Sequence, residues 1–217
     1  VENDAPESAE GFEAAVAYAV ATQLGFSTEN VSWVRTSFDE AIQPGAKSFD
    51  FNLQQYSITD ERKQTVSFSD PYYTTNQAIV GYADSAAASA TTVAELQGLK
   101  FGVQSGTTSL EFLNTVVKPT NEPYVYDDNA AAKAALEAKQ IDAIVVDEIM
   151  ARYIVSQNTY DVVVTDVSLG DEEYGIGFRL GEDTLRLKID EILNQLSDDG
   201  VTQNISNTWF GEDIFRK

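Results

Sequence analysis

Residues 57–73, SITDERKQTVSFSDPYY, decide how the rest of the chain is read. Thr59 can cap a short helical turn whose first positions carry Asp60 and Glu61, the charge that a helix N-terminus favours. Arg62 follows within that turn, and Asp70 must leave the α region because Pro71 comes next. An Arg held on a rigid turn can clamp a planar carboxylate through two parallel hydrogen bonds. Taken alone, Arg62 reads more readily as a surface cation paired with Asp60 or Glu61.

The chain is long enough, at 217 residues with 43% hydrophobic content, to bury a real core as one large domain or two small ones. Lys and Arg number 14 against 35 Asp and Glu, a formal net charge of −21. That balance argues against partners built on phosphate, whether nucleic acid or an anionic lipid surface. The acids are scattered, as in a solvated, repulsive surface. Without Cys or His, a thiol nucleophile, an imidazole base, a zinc site of the usual kind and a disulfide framework are excluded. No metal or other cofactor is expected. No apolar run of about 18 residues could span a membrane, and no signal peptide is seen, so an exported protein would be present as its mature or trimmed form.

Working outward from residues 57–73, residues 11–25 read as a helix with an apolar stripe of Phe12, Val16, Ala19, Val20 and Leu24, stopped by Gly25. Residues 31–35 and 49–53 read as short strands, with a helical turn opening at Phe38 between them. Residues 74–83 read as a strand, 84–90 as a surface loop, and Thr92 with Glu95 as a capping box. Strands follow at 100–104, 124–126, 141–146 and 161–165, alternating with helices. This alternation argues for an α/β chain with a largely parallel sheet. Residues 174–179 read as one more strand and 183–196 as an amphipathic helix closed by Gly200. A last helix carries Ile205, Trp209 and Phe210, and no repeat or linker separates independent domains.

The 57–73 string resembles the S/T-I-T-x-E-R-x-x-x-V-x-F-S-x-P-Y-Y signature of solute-binding proteins that serve polar amino-acid ABC transporters. GFEAAVAYAVATQLGF is similar to that family's first helix, SGTTS to its second-lobe loop, IDAIVVD to the strand before its ammonium-binding Asp, and YGIGFR and TWFG to its return segment and C-terminal helix. The resemblance implies an α/β, two-lobe periplasmic-binding-protein-like clamshell of type 2. Lobe one would comprise residues 1–72 and 175–217, lobe two 77–169, and the hinge crossings 73–76 and 170–174. Family members open with a strand and a turn that supply an aromatic lid and a polar ligand contact. The present sequence starts beyond that point, so either it is trimmed or lobe one lacks its usual first strand.

An α-amino acid presents a carboxylate, an ammonium and a side chain, and a selective site must answer all three. Arg62 supplies the cation, and Thr108 the second half of the carboxylate grip, since SGTTS joins a strand to a helix whose first N–H groups can bind an anion. Read alone, SGTTS is more readily an ordinary strand-to-helix turn with Thr caps, and its match in position to the family loop reverses that. Asp147 ends an apolar strand, where open α/β folds place ligand contacts, although an isolated Asp there also serves as a helix N-cap. By resemblance, Asp147 takes the ammonium together with Ser57 and the backbone of Gln55, and Phe38 stacks on the ligand side chain. Gln54, Gln55 and Gln104 fall where the family varies with ligand, and their amides suit a polar, uncharged side chain.

The function implied is extracytoplasmic binding of an L-amino acid and its delivery to an ABC transporter permease by a monomeric carrier, in the periplasm or as a Gram-positive surface lipoprotein. It is not expected to be an enzyme. Two alternatives stay open: a dehydratase of the same fold acting on a prephenate-like or arogenate-like substrate through Glu148 or Asp147, and a ligand-binding sensor domain.

Overall fold

The computed structural model describes residues 5–157, 162–164 and 171–211. The backbone divides into two compact units, Val1–Thr74 with Glu173–Lys217, and Thr75–Glu172. The chain passes from the first to the second along β2 (Tyr73–Tyr82) and returns along β7 (Asp171–Tyr174). Residue 170, where the second crossing was expected to begin, lies outside the described residues.

Unit one is built on α1 (Phe12–Gln23), α8 (Asp183–Asp198) and α9 (Val201–Phe210). Gly11 and Gly25 bracket α1 with φ of +111° and +93°, a left-handed region open to glycine at little cost. The buried face of α1 is Ala14, Val16, Ala17, Val20 and Ala21, while Phe12, Ala19 and Leu24 are only half-buried. The stripe is therefore rotated toward the small residues, which let neighbouring elements approach closely. Phe12 instead joins an aromatic group, 5.1 Å from the ring of Phe210 and 5.9 Å from that of Tyr73.

Among the described residues, the sheet of unit one is β1 (Val66–Phe68) paired antiparallel with β8 (Gly177–Arg179). The strand expected at 31–35 is not formed; Trp33 and Val34 are exposed and nothing ladders with them among the described residues. Residues 49–53 yield only an isolated bridge, Asn52 to Gly177. The strand expected at 174–179 is broken at Gly175 and Ile176. There the Gly175 N–H turns to the Tyr56 carbonyl and the Ile176 N–H to the Ser69 hydroxyl. A Cβ at Gly175 would meet Ile58 at 2.9 Å, so the backbone here is packed too closely for a side chain. Phe38–Ile42 forms α2, with Ser37 and Glu40 closing a capping box.

The sheet of unit two runs in the order β4 (Tyr124–Tyr126), β3 (Phe101–Gln104), β5 (Ala143–Asp147), β2, β6 (Val162–Val164). β3 is parallel to β4 and β5, but β2 is antiparallel to β5 and β6. The sheet is thus mixed rather than largely parallel, because β2 arrives from unit one and not by a helical crossover within the sheet. Ile79, Val103, Ala143 and Val145 pack on one face with Leu96, Leu113 and Val117; Ala78, Val80, Ile144 and Val146 pack on the other with Ala132, Leu136 and Ile154. Both faces are covered, which is why IDAIVVD is apolar at nearly every position.

The expected loop at 84–90 contains a short helix, α3 (Ala86–Ser89), followed by α4 (Val93–Leu96). Ala87 is fully buried against Gly81, where an added Cβ would stand 2.5 Å from its own. α5 (Thr108–Phe112) continues as a π-helical turn at Leu113–Val117. α6 (Asn129–Glu137) is capped by Asp128, whose carboxylate accepts from the Ala131 N–H at 2.7 Å, and α7 (Glu148–Gln157) follows β5 directly. Of the strand expected at 161–165, residues 161 and 165 lie outside the described residues.

Candidate ligand-binding site

In unit one the site is built around Arg62, which is only 7% exposed. Thr59 does cap the turn: its hydroxyl accepts from the Arg62 N–H at 3.1 Å, and its carbonyl accepts from the Lys63 N–H at 3.0 Å. The element is a single 3-10 turn, Arg62–Gln64, not a longer helix. Arg62 Nη1 donates to the Ser57 carbonyl at 2.8 Å. The guanidinium carbon lies 5.4 Å from the ring centroid of Phe38 and 5.2 Å from that of Tyr56, and the two rings stack at 4.2 Å. A desolvated cation over aromatic faces gains about 1–2 kcal/mol, and the planar fork is held in one orientation. Asp60, a candidate surface partner for Arg62, is seen with Lys63 at 3.4 Å.

Phe38 is half-buried and packs on Tyr56, whose hydroxyl donates to the Phe38 carbonyl. Burial raises the pKa of that phenol, so it stays a neutral donor. Ser57 is buried and bridges Tyr174 in antiparallel register. Gln55 holds a left-handed backbone, φ +55°, and its N–H donates to Glu13 Oε1 at 2.8 Å. The Tyr72 hydroxyl donates to the same oxygen. Glu13, read from sequence only as a favourable charge at the start of α1, thus ties α1 to the segment carrying Gln55 and Ser57. Burial pushes its carboxyl above the usual range, against the lowering effect of both hydrogen bonds.

In unit two, Gln104 is buried at the end of β3 and its carbonyl accepts from the Thr107 hydroxyl at 2.8 Å. Thr107 in turn caps α5, accepting from the Leu110 N–H at 3.2 Å. Thr108 is thereby placed first in the helix, and its hydroxyl donates to Glu172 Oε2 at 2.8 Å. Asp147 stands opposite Gln77 across the β5–β2 ladder, and its Oδ1 accepts from Gln77 Nε2 at 2.7 Å. The same nitrogen donates to Glu172 Oε1 at 2.9 Å and lies 3.3 Å from Thr108 Oγ1; Gln77 Oε1 accepts from the Ser109 hydroxyl at 2.6 Å.

The structure therefore joins Thr108 and Asp147 through Gln77 and Glu172, neither of which the sequence singled out. Gln77 is the polar start of an apolar strand, and Glu172 lies in the acidic Asp171-Glu172-Glu173, which looks like solvated surface. Glu148, the carboxylate considered for acid–base work, accepts from Arg152 Nε at 2.9 Å and from Asn76 Nδ2 at 3.1 Å. The Arg152 hydrogen bond holds its carboxyl below the ordinary carboxylate range, the opposite of what a proton donor at neutral pH requires.

Residues 2–212 match the bacterial extracellular solute-binding proteins, family 3, and the chain belongs to that family. It is 31% identical over 206 residues to the L-cystine-binding protein TcyJ of Escherichia coli (strain K12), which covers 94% of this chain and 75% of TcyJ. Among solved structures it is similar to an ancestral arginine-binding protein bound to glutamine, with 33% identity, a TM-score of 0.83, and coverage of 93% of this chain and 88% of that one. An ABC uptake transporter substrate-binding protein from Streptococcus pneumoniae with bound histidine gives 28% identity and a TM-score of 0.84, over 95% of this chain and 85% of that one. The fold class is accordingly the α/β periplasmic-binding-protein class expected from sequence. These relatives are named as binding proteins and not as enzymes. Among the described residues, no helix is long and apolar enough to cross a membrane.

Proposed function

We propose that the chain binds a free L-amino acid with a polar side chain outside the cytoplasm and delivers it to the membrane permease of an ABC transporter. The observation that carries this reading is the setting of Arg62: a buried guanidinium, anchored on Ser57 and laid over two stacked rings, is built to meet a carboxylate. In this reading Thr108 assists Arg62, and Asp147, with Ser57 and Gln55, takes the ammonium. Phe38 packs on the ligand side chain and Gln104 tunes its choice. Relatives named for cystine and arginine, and a similar structure with bound histidine, support a free amino acid as ligand.

The proposal takes residues 1–72 with 175–217 as lobe one and 77–169 as lobe two, hinged at 73–76 and 170–174. Ligand that contacts both lobes binds the closed form more tightly, and that difference in affinity drives closure. The carrier acts as a monomer after removal of its signal peptide, free in the periplasm or tethered by lipid at a Gram-positive surface. A thermal-shift screen against the common amino acids tests the reading. One or a few polar amino acids at about a hundred times their Kd should raise the unfolding midpoint by roughly 6 °C. No shift with any of them would overturn it.

A further inference from the structure

Thr108 and Asp147 are the two side chains of unit two assigned above to the ligand's carboxylate and ammonium, and each already holds an internal partner of matching chemistry. The Thr108 hydroxyl donates to a carboxylate, Glu172, at 2.8 Å. Asp147 Oδ1 accepts from a nitrogen, the amide of Gln77, at 2.7 Å. That amide also donates to Glu172 at 2.9 Å, so an acid and an N–H donor stand side by side against the groups that would read an amino acid's two charges.

We propose that Glu172 is an internal stand-in for the ligand's carboxylate and thereby the residue that sets the affinity of this site. The inference rests on the amino-acid reading. A hydroxyl has one proton to donate, so Thr108 cannot serve Glu172 and a ligand carboxylate together. Two carboxylates at one donor also repel. Glu172 must therefore leave before the Thr108 hydroxyl can engage ligand, and the apparent affinity is the intrinsic one scaled down to the fraction of molecules in which it has left. Asp147 faces no such exclusion, because a carboxylate offers about four acceptor positions and can keep Gln77 while taking an ammonium. Gln77 itself stays anchored, 4% exposed, with its carbonyl oxygen held by Ser109.

Glu172 is well placed for this role. It lies in β7, where the next residue, Glu173, accepts the Ile58 N–H at 2.7 Å and Tyr174 bridges Ser57. A purely structural Glu172, needed only to orient Gln77 and Thr108, would behave oppositely: its removal would disorder the site and weaken binding.

Calorimetric titration of the wild type, Glu172→Ala and Glu172→Gln with the amino acid giving the largest midpoint shift separates the two. Glu172→Ala should bind about tenfold more tightly, the worth of roughly one charge-assisted hydrogen bond. Glu172→Gln, which can still accept from Thr108 but without charge, should fall between it and the wild type. Wild-type binding with both variants equal or weaker would overturn the inference and leave the amino-acid reading intact. Absence of binding by all three, with circular dichroism showing folded protein, would overturn the amino-acid reading and this inference with it.

Discussion

Arg62 donates from Nη1 to the carbonyl of Ser57 at 2.8 Å, so the cation of the 57–73 segment is fixed by that segment's own first residue. The same guanidinium lies over Phe38 and Tyr56. Arg62→Lys keeps the charge but loses the planar fork and its stacking. We expect amino-acid affinity to fall by about 100-fold, with the unliganded midpoint within about 4 °C of wild type. Calorimetry and a thermal melt check both halves; near wild-type affinity would remove Arg62 from the site.

Asp147→Asn leaves an oxygen that can still accept from Gln77 Nε2 but removes the charge that would meet an ammonium. The unliganded protein should lose less than about 1 kcal/mol in urea unfolding. Ligand affinity should drop by about 3 kcal/mol, roughly 100-fold, as expected for a charge-assisted contact. Loss of fold in place of affinity would make Asp147 structural.

Glu13 gives a pH prediction. Burial pushes its carboxyl above the usual carboxylate range. An acid whose pKa is higher folded than unfolded favours the fold below its unfolded pKa, and that contribution is lost as pH rises through the folded value. Glu13→Gln can still accept from the Gln55 N–H and the Tyr72 hydroxyl without a buried charge. It should raise the midpoint at pH 7 by a few degrees, about 1 kcal/mol, and lose that advantage below about pH 4.5. Thermal melts of both proteins from pH 3 to 8 check it; an advantage independent of pH would contradict it.

Asp190, 7% exposed on α8, accepts the Asp70 N–H at 2.7 Å and Arg186 Nη1 at 2.9 Å. It fixes the turn before Pro71 from the far side of unit one's sequence. Asp190→Ala should destabilise by about 2–4 kcal/mol in urea unfolding, because it strands a backbone donor and leaves Arg186 with only its longer contact to Asp183, at 3.4 Å. Affinity at 25 °C should change by less than about threefold.

What could be read from sequence was what short-range chemistry dictates. The capping box at Thr92, the strand ending at Asp147 and the turn presenting Thr108 all declare themselves within a few residues. The strand expected at 31–35 failed because Val31 and Trp33 satisfy β-propensity, while a ladder requires a partner that local pattern does not supply. The break at Gly175 is imposed by Ile58 and Phe68, more than a hundred residues upstream. α3 was missed because an Ala-rich run looks featureless until Ala87 finds the missing side chain of Gly81. Among the candidate site residues, Arg62, Thr108 and Asp147 stand at element ends that announce them. Gln77 and Glu172 acquire meaning only from partners 31 to 95 residues away, and Glu13 from partners 42 and 59 residues away.

The central claim is that the chain grips both charges of one α-amino acid, the carboxylate through Arg62 and the ammonium through Asp147. Titrating wild-type protein with the tightest amino acid of the screen, its α-amide and its N-acetyl derivative tests this most directly. We predict that each derivative, missing one charge, binds about 100-fold more weakly or worse than the parent. Either derivative binding as tightly as the parent would contradict the account.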